Sequence, residues 1–135
     1  MPDCIFCKIV RGELPSYKVY EDEKTLAFLD INPVNAGHTL VVPKKHSHNI
    51  FDIAPEDWAA VTESARKIAI AIEKGLQTDG VNIGMNNREH AGQLVDHPHL
   101  HVIPRFKSDG LKLMPQRKYL DHEAEQAAEK IRAAL

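Results

Sequence analysis

Gly92-Gln93-Leu94-Val95-Asp96-His97-Pro98-His99-Leu100-His101-Val102-Ile103-Pro104-Arg105 is the stretch on which the fold turns. His97, His99 and His101 occupy alternate positions in a segment that otherwise reads as strand. Alternate side chains of an extended chain point to one face, so the three imidazoles line a single surface. A lone histidine would be read as a structural or surface residue. Three in strict alternation, after Gly-Gln and before an apolar pair, point to chemistry. Two chemistries are open at this point: a metal site built on His-x-His, or an imidazole nucleophile beside phosphate-binding groups.

Working outward, Asn87-Arg88-Glu89-His90-Ala91-Gly92 is the polar loop that delivers the chain to the histidines. Before it, Val81, Ile83 and Met85 alternate with Asn82, Gly84 and Asn86, which predicts a strand with one buried face. Between Pro55 and Leu76, Trp58, Val61, Ala65, Ile68, Ile72 and Leu76 recur every three or four residues. That stripe predicts a long helix with one core face, opened by Pro55 with Glu56 and Asp57 at the positive end of its dipole. His38 to Pro43 reads as a short central strand, and Tyr17–Tyr20 with Thr25–Leu29 as a hairpin. Asp30 to Gly37 is a loop by its Asn, Pro and Gly content. Lys44-Lys45-His46-Ser47-His48 follows the central strand, with His48 read as a plain surface residue. A terminal helix is expected from about 121 to 135, capped by Asp121, with Ala124, Ala127, Ala128 and Ile131 on one face. Five strands without alternating helices give an α+β fold with an antiparallel sheet, one long helix and a C-terminal helix.

The chain has 135 residues, 43% hydrophobic and 27% charged, the make-up of one ordinary globular domain. A net charge of −2 argues against a general nucleic-acid binder. No apolar run approaches the roughly 18–20 residues of a membrane span, and the first residues lack a signal-peptide pattern, so no membrane partner and a cytoplasmic location are expected. Cys4 and Cys7 are too close in sequence to staple distant parts of the chain. In a reducing compartment a C-x-x-C pair reads as metal or redox chemistry. Metal is the better reading, since a thioredoxin-like motif needs a preceding strand and only three residues precede Cys4.

These residues resemble the histidine triad (HIT) family of nucleotide hydrolases and transferases. Its signature, His-φ-His-φ-His-φ-φ with φ apolar, stands here as His97-Pro98-His99-Leu100-His101-Val102-Ile103. Cys4-Ile5-Phe6-Cys7-Lys8-Ile9, Leu26 to Pro33, Gly37 to Lys44 and Gly92-Gln93 fall where prokaryotic members carry similar blocks. The resemblance spans about residues 4–107 of a single domain covering 1–135. It implies a five-stranded antiparallel sheet and a homodimer. The implied chemistry is transfer or hydrolysis at the α-phosphate of an adenylate through a covalent nucleotidyl-histidine, with release of AMP.

By the same resemblance His99 is the nucleophile, and His101 bonds the phosphate and assists the leaving group. Gln93 holds phosphate oxygens, and His38 orients the triad. Asp30 binds the ribose of a purine nucleotide, Ile31 packs on the base and Asn86 faces the phosphates. Relatives with C-x-x-C bind zinc, which here implies a structural Cys4, Cys7, His46 and His97 site. Leu94 stands where many members carry a polar residue near the leaving group. Pro98 removes a backbone donor, which is tolerated at an edge or bulge. Three further readings remain open. Dinucleoside polyphosphates, such as diadenosine tetraphosphate, are an alternative substrate. A nucleotide-binding scaffold with vestigial catalysis is an alternative class. A catalytic zinc held by the three histidines is the last.

Overall fold

A computed structural model describes residues 4–135 of the chain. In order they form helix α1 (Ile5–Val10), strands β1 (Lys18–Glu21), β2 (Thr25–Leu29) and β3 (Thr39–Pro43), and helix α2 (Pro55–Leu76). Strand β4 (Gly80–Gly84), a short 3-10 turn (Glu89–Ala91), strand β5 (Leu100–Arg105) and helix α3 (Glu123–Ala134) follow. The strands make one sheet in the order β1-β2-β3-β5-β4, every neighbouring pair antiparallel. The hairpin turn is built by Asp22, whose Oδ1 accepts from the Lys24 amide (2.9 Å), the Thr25 amide (2.8 Å) and the Thr25 hydroxyl (2.9 Å).

The strand period of two divides the side chains between two layers. Ala27, Val41, Leu100 and Val102 meet Val61, Ala65, Ile68 and Ile72 of α2. Leu26, Phe28, Leu40 and Val42 turn to the other face, where Phe6 and Ile9 of α1 cover them. Along β5, Leu100, Val102 and Pro104 are buried while His101, Ile103 and Arg105 are partly open. The histidines therefore share the α1 face of the sheet, and α2 supports them from behind.

The two prolines of the histidine stretch cost little. Pro98 precedes the first paired residue of β5, and Pro104 lies beyond the β3 ladder, which ends at Val102. The carbonyl of Pro104 is taken instead by the Asn35 amide at 2.8 Å.

Two expectations need correction. Strand β4 has no buried face: it is a sheet edge, with Val81 and Met85 only partly covered and Ile83 exposed. Asp121 does not cap α3. His122 takes the position before the helix at φ 63° without a side-chain cap, and Glu123 reaches back to accept from the Leu120 amide (2.9 Å). Among the described residues, no helix is long and apolar enough to cross a membrane.

Candidate active site and metal centre

Four residues from three separate segments converge at the N-terminus of α1. Cys4 precedes the helix and Cys7 sits in its first turns, His46 follows β3, and His97 precedes β5. Their donor atoms all lie within 4.8 Å of one another. His46 Nδ1 is 3.6 Å from Cys4 Sγ and 3.3 Å from Cys7 Sγ. His97 Nδ1 is 3.5 and 3.6 Å from the same sulfurs, and the two Nδ1 atoms are 3.2 Å apart. A tetrahedral zinc with ordinary bond lengths sets S···N edges of about 3.6 Å and an N···N edge of about 3.3 Å. The donor set therefore fits zinc without rearrangement.

The surroundings fit as well. The buried His97 gives its Nε2–H to the Pro43 carbonyl at 2.7 Å, so its Nδ1 carries the lone pair that faces the sulfurs. Burial holds its pKa down to about 4, which keeps the ring neutral, as a ligand must be. Burial, with the Cys4 sulfur alongside, pushes the Cys7 thiol up to about 11, and a cation would offset both effects.

His99 and His101 form a second, separate group. The Nδ1–H of His99 donates to the His97 carbonyl at 2.8 Å. A carbonyl only accepts, so the proton sits on Nδ1 and Nε2 keeps its lone pair. The order continues through His38. Its Nδ1 accepts from the Val34 amide at 3.0 Å, so its Nε2–H donates to His101 Nδ1 at 2.9 Å. His101 is left with a proton on Nε2, free to donate. One backbone amide thus sets the tautomers of two imidazoles. Burial is the main cause that lowers all three pKa values, with neighbouring imidazoles adding to it at His101, which falls to about 4. At neutral pH the trio is uncharged. Asp30 Oδ2 is 3.7 Å from His38 Nε2, and Asp30 Oδ1 accepts from the Asn32 amide at 2.9 Å.

The groups open onto a cleft of about 550 Å³. His99, His101, Asp30, Ile31 and Asn86 line it, together with Gly92 and Leu94. Its apolar wall is Ile5, Phe6 and Ile9 of α1 with Phe28 and Leu40 of the sheet. Phe6 meets His99 edge-on at 5.1 Å between centroids, and His97 at 5.9 Å. Gln93, expected at the phosphate, is turned elsewhere. Its Oε1 accepts from the Arg88 amide (2.7 Å), and its Nε2 donates to the carbonyls of His48 (2.6 Å) and Val95 (3.0 Å). It braces the β4–β5 loop against the segment that carries His46.

Sequence reading missed the second role of α1. Its C-x-x-C marks the metal donors, while Ile5, Phe6 and Ile9, three and four residues apart or adjacent on the same short helix, build the cleft wall. It also missed the His48–Asp96 pair, 2.8 Å apart, because nothing in the sequence links a loop at 48 to one at 96.

The chain matches the HIT domain family over residues 11–108. A protein of solved structure from Streptococcus mutans is 46% identical and superposes with a TM-score of 0.93, covering 99% of this chain and 86% of that one. The adenylylsulfatase HINT3 of Arabidopsis thaliana is 40% identical over 137 residues, 98% of this chain and 70% of its own length. A zinc-bound histidine triad protein of Mycobacterium smegmatis is 38% identical with a TM-score of 0.79, covering 98% of both chains. Its bound zinc accords with the Cys4, Cys7, His46 and His97 cluster, and the match over 11–108 includes the whole His97-x-His99-x-His101 signature. The chain belongs to the HIT domain family.

Proposed function

We propose that the protein is a nucleotide hydrolase or transferase that attacks the α-phosphate of an adenylate with His99 and releases AMP. The observation that carries this reading is the fixed tautomer of His99. A buried, neutral imidazole presents its Nε2 lone pair to a cleft that also holds a donor, His101 Nε2–H, and a carboxylate, Asp30. The adenylylsulfatase relative supports adenylates as the substrate class.

In the first step the Nε2–Pα bond forms and the bond from Pα to the leaving group breaks, its electron pair departing with that group. The imidazole becomes cationic, and the His97 carbonyl on Nδ1–H stabilises that charge. His101 donates a hydrogen bond to the phosphate or to the leaving oxygen. Water then cleaves the Pα–N bond, the pair returns to Nε2, and a proton is released to solvent. Asp30 accepts from the ribose hydroxyls, while Ile31, Phe6 and Phe28 enclose a purine. Asn86 faces the phosphates. Gln93 acts as a positioning residue through the loop.

Zinc, when bound by Cys4, Cys7, His46 and His97, supplies a structural crosslink between α1, the end of β3 and the approach to β5. The reading includes one HIT domain over 1–135 and a homodimer. The apolar groove between α2 and β4, lined by Trp58, Ile70, Ile83 and Met85, supports the dimer.

A substrate panel tests the proposal: an adenosine phosphoramidate, adenylylsulfate and diadenosine tetraphosphate, each with wild type and His99→Ala. AMP from wild type and none from the variant is expected. Binding of AMP without turnover on any adenylate would replace the hydrolase with a binding module. ATP beside AMP as the fastest products would favour dinucleoside polyphosphates.

A further inference from the structure

His48 Nδ1 meets both carboxylate oxygens of Asp96 at 2.8 Å, and both side chains are exposed. An exposed ion pair ordinarily contributes little and calls for no role. Three features set this one apart. The first is that the backbone holds it. Gln93 Nε2 donates to the carbonyls of His48 (2.6 Å) and Val95 (3.0 Å), and the His48 amide donates to Asp52 at 2.9 Å. The two loops keep the pair together without relying on its own attraction.

The second is its place beside the metal donors. The His46 and His48 rings meet edge-on at 5.5 Å. Donor atoms of His46, His48 and Asp96 all lie within 4.8 Å of one another, so His46 belongs to two donor groups. The third is direction. Among the described residues of the metal centre, Cys7 and His97 are buried, whereas Cys4 and His46 are partly open. Phe6 stands edge-on to His97 at 5.9 Å, and the Pro43 carbonyl occupies its Nε2–H. An ion therefore comes in past Cys4 or His46, and His48 with Asp96 stand on the His46 side. Neighbouring donors on a zinc ion with ordinary bond lengths are about 2.9–3.3 Å apart, so the pair can grip an ion with little movement.

We propose that His48 and Asp96 form the entry site through which zinc reaches Cys4, Cys7, His46 and His97. The inference rests on the structural zinc reading of those four residues and adds the route to it. His48 and Asp96 give up to solvent the proton they share and hold the ion beside His46. Cys4 and Cys7 then lose their thiol protons and take it, with His46 and His97. One of those protons returns to the His48–Asp96 pair and the other goes to solvent.

Isotope exchange on the zinc-loaded protein tests the route. Protein holding natural-abundance zinc is mixed with an excess of one enriched zinc isotope, and bound zinc is followed by mass spectrometry. Entry and exit share one path, so loss of the entry site slows exchange without changing how much zinc is bound. His48→Ala and Asp96→Asn should each slow it by about tenfold, the low end of what losing an auxiliary contact at a metal centre costs. Zinc content and melting temperature should match wild type. Exchange at the wild-type rate in either variant overturns the inference and leaves the structural zinc standing. Loss of zinc from either variant also overturns it, making the pair a support of the centre and not its entrance. A wild type that binds no zinc overturns both the inference and the zinc reading beneath it.

Discussion

Arg88 carries the one backbone conformation here that its residue type disfavours most. Its φ of 74° and ψ of 160° belong to a region populated almost only by glycine. Its carbonyl accepts from the Ala91 and Gln93 amides at 3.1 and 3.2 Å, and two side-chain contacts hold it as well: the Gln93 side-chain oxygen on its amide at 2.7 Å, and its guanidinium 4.3 Å above the Phe51 ring. Replacing Arg88 with Ala or with Gly removes the ring contact equally, so the difference between the two variants isolates the backbone. Strain in this region costs about 1–3 kcal/mol. The greater freedom of glycine in the unfolded chain returns about 0.4–1 kcal/mol of that. Arg88→Gly should therefore be more stable than Arg88→Ala by about 1–2 kcal/mol, the reverse of the usual order. Urea unfolding followed by Trp58 fluorescence measures it as a higher midpoint at unchanged slope, and melting as a gain of roughly 3–5 °C per kcal/mol. Equal stability, or a more stable Ala variant, would refute the argument that the loop is strained at Arg88.

Two further outcomes follow from the same geometry. Cys4→Ala and Cys7→Ala should each lose bound zinc, measured by metal analysis of the purified protein, while His99→Ala and His101→Ala retain it. The opposite pattern would move the metal to the histidine triad. Asp22 is partly buried, which opposes ionisation, yet hydrogen bonds from Tyr20, the Lys24 amide and Thr25 prevail and hold its pKa at about 2. A carboxylate whose pKa is lowered by folding stabilises the fold above its ordinary value near 4, and that contribution is lost as pH falls through about 2. Asp22→Asn should cost about 1–2 kcal/mol at pH 7, and the gap to wild type should narrow between pH 4 and pH 2 in urea titrations. A gap that does not change over that range would show that ionisation of Asp22 does not matter.

What the sequence reveals depends on how far each feature depends on periodicity. Three histidines two residues apart, and a stripe from Trp58 to Ile72, dictate faces directly, and both elements lie where the spacing puts them. The expected metal donors, Cys4, Cys7, His46 and His97, come together because α1, β3 and β5 are neighbours on one face. Features set by tertiary competition were not legible. The Gln93 amide finds two carbonyls and a backbone N–H within reach, and no sequence rule ranks those against a phosphate. The alternation of Val81, Ile83 and Met85 predicts a buried face only if a layer covers it, and within one chain the edge of the sheet leaves Ile83 open. At Arg88 the loop takes a conformation that its residue would not have suggested. At α3 the chain turns left-handed at His122, one residue after the expected Asp121 cap.

The central claim is that catalysis passes through a covalent bond between His99 Nε2 and the α-phosphorus, and the stereochemical course at that phosphorus tests it most directly. An adenylate made chiral at Pα by isotope or sulfur substitution is hydrolysed in isotopically labelled water, and the configuration of the released nucleotide is read. Two successive displacements, first by His99 and then by water, predict overall retention. Inversion would mean that water attacks in a single step, and His99 would not be the nucleophile.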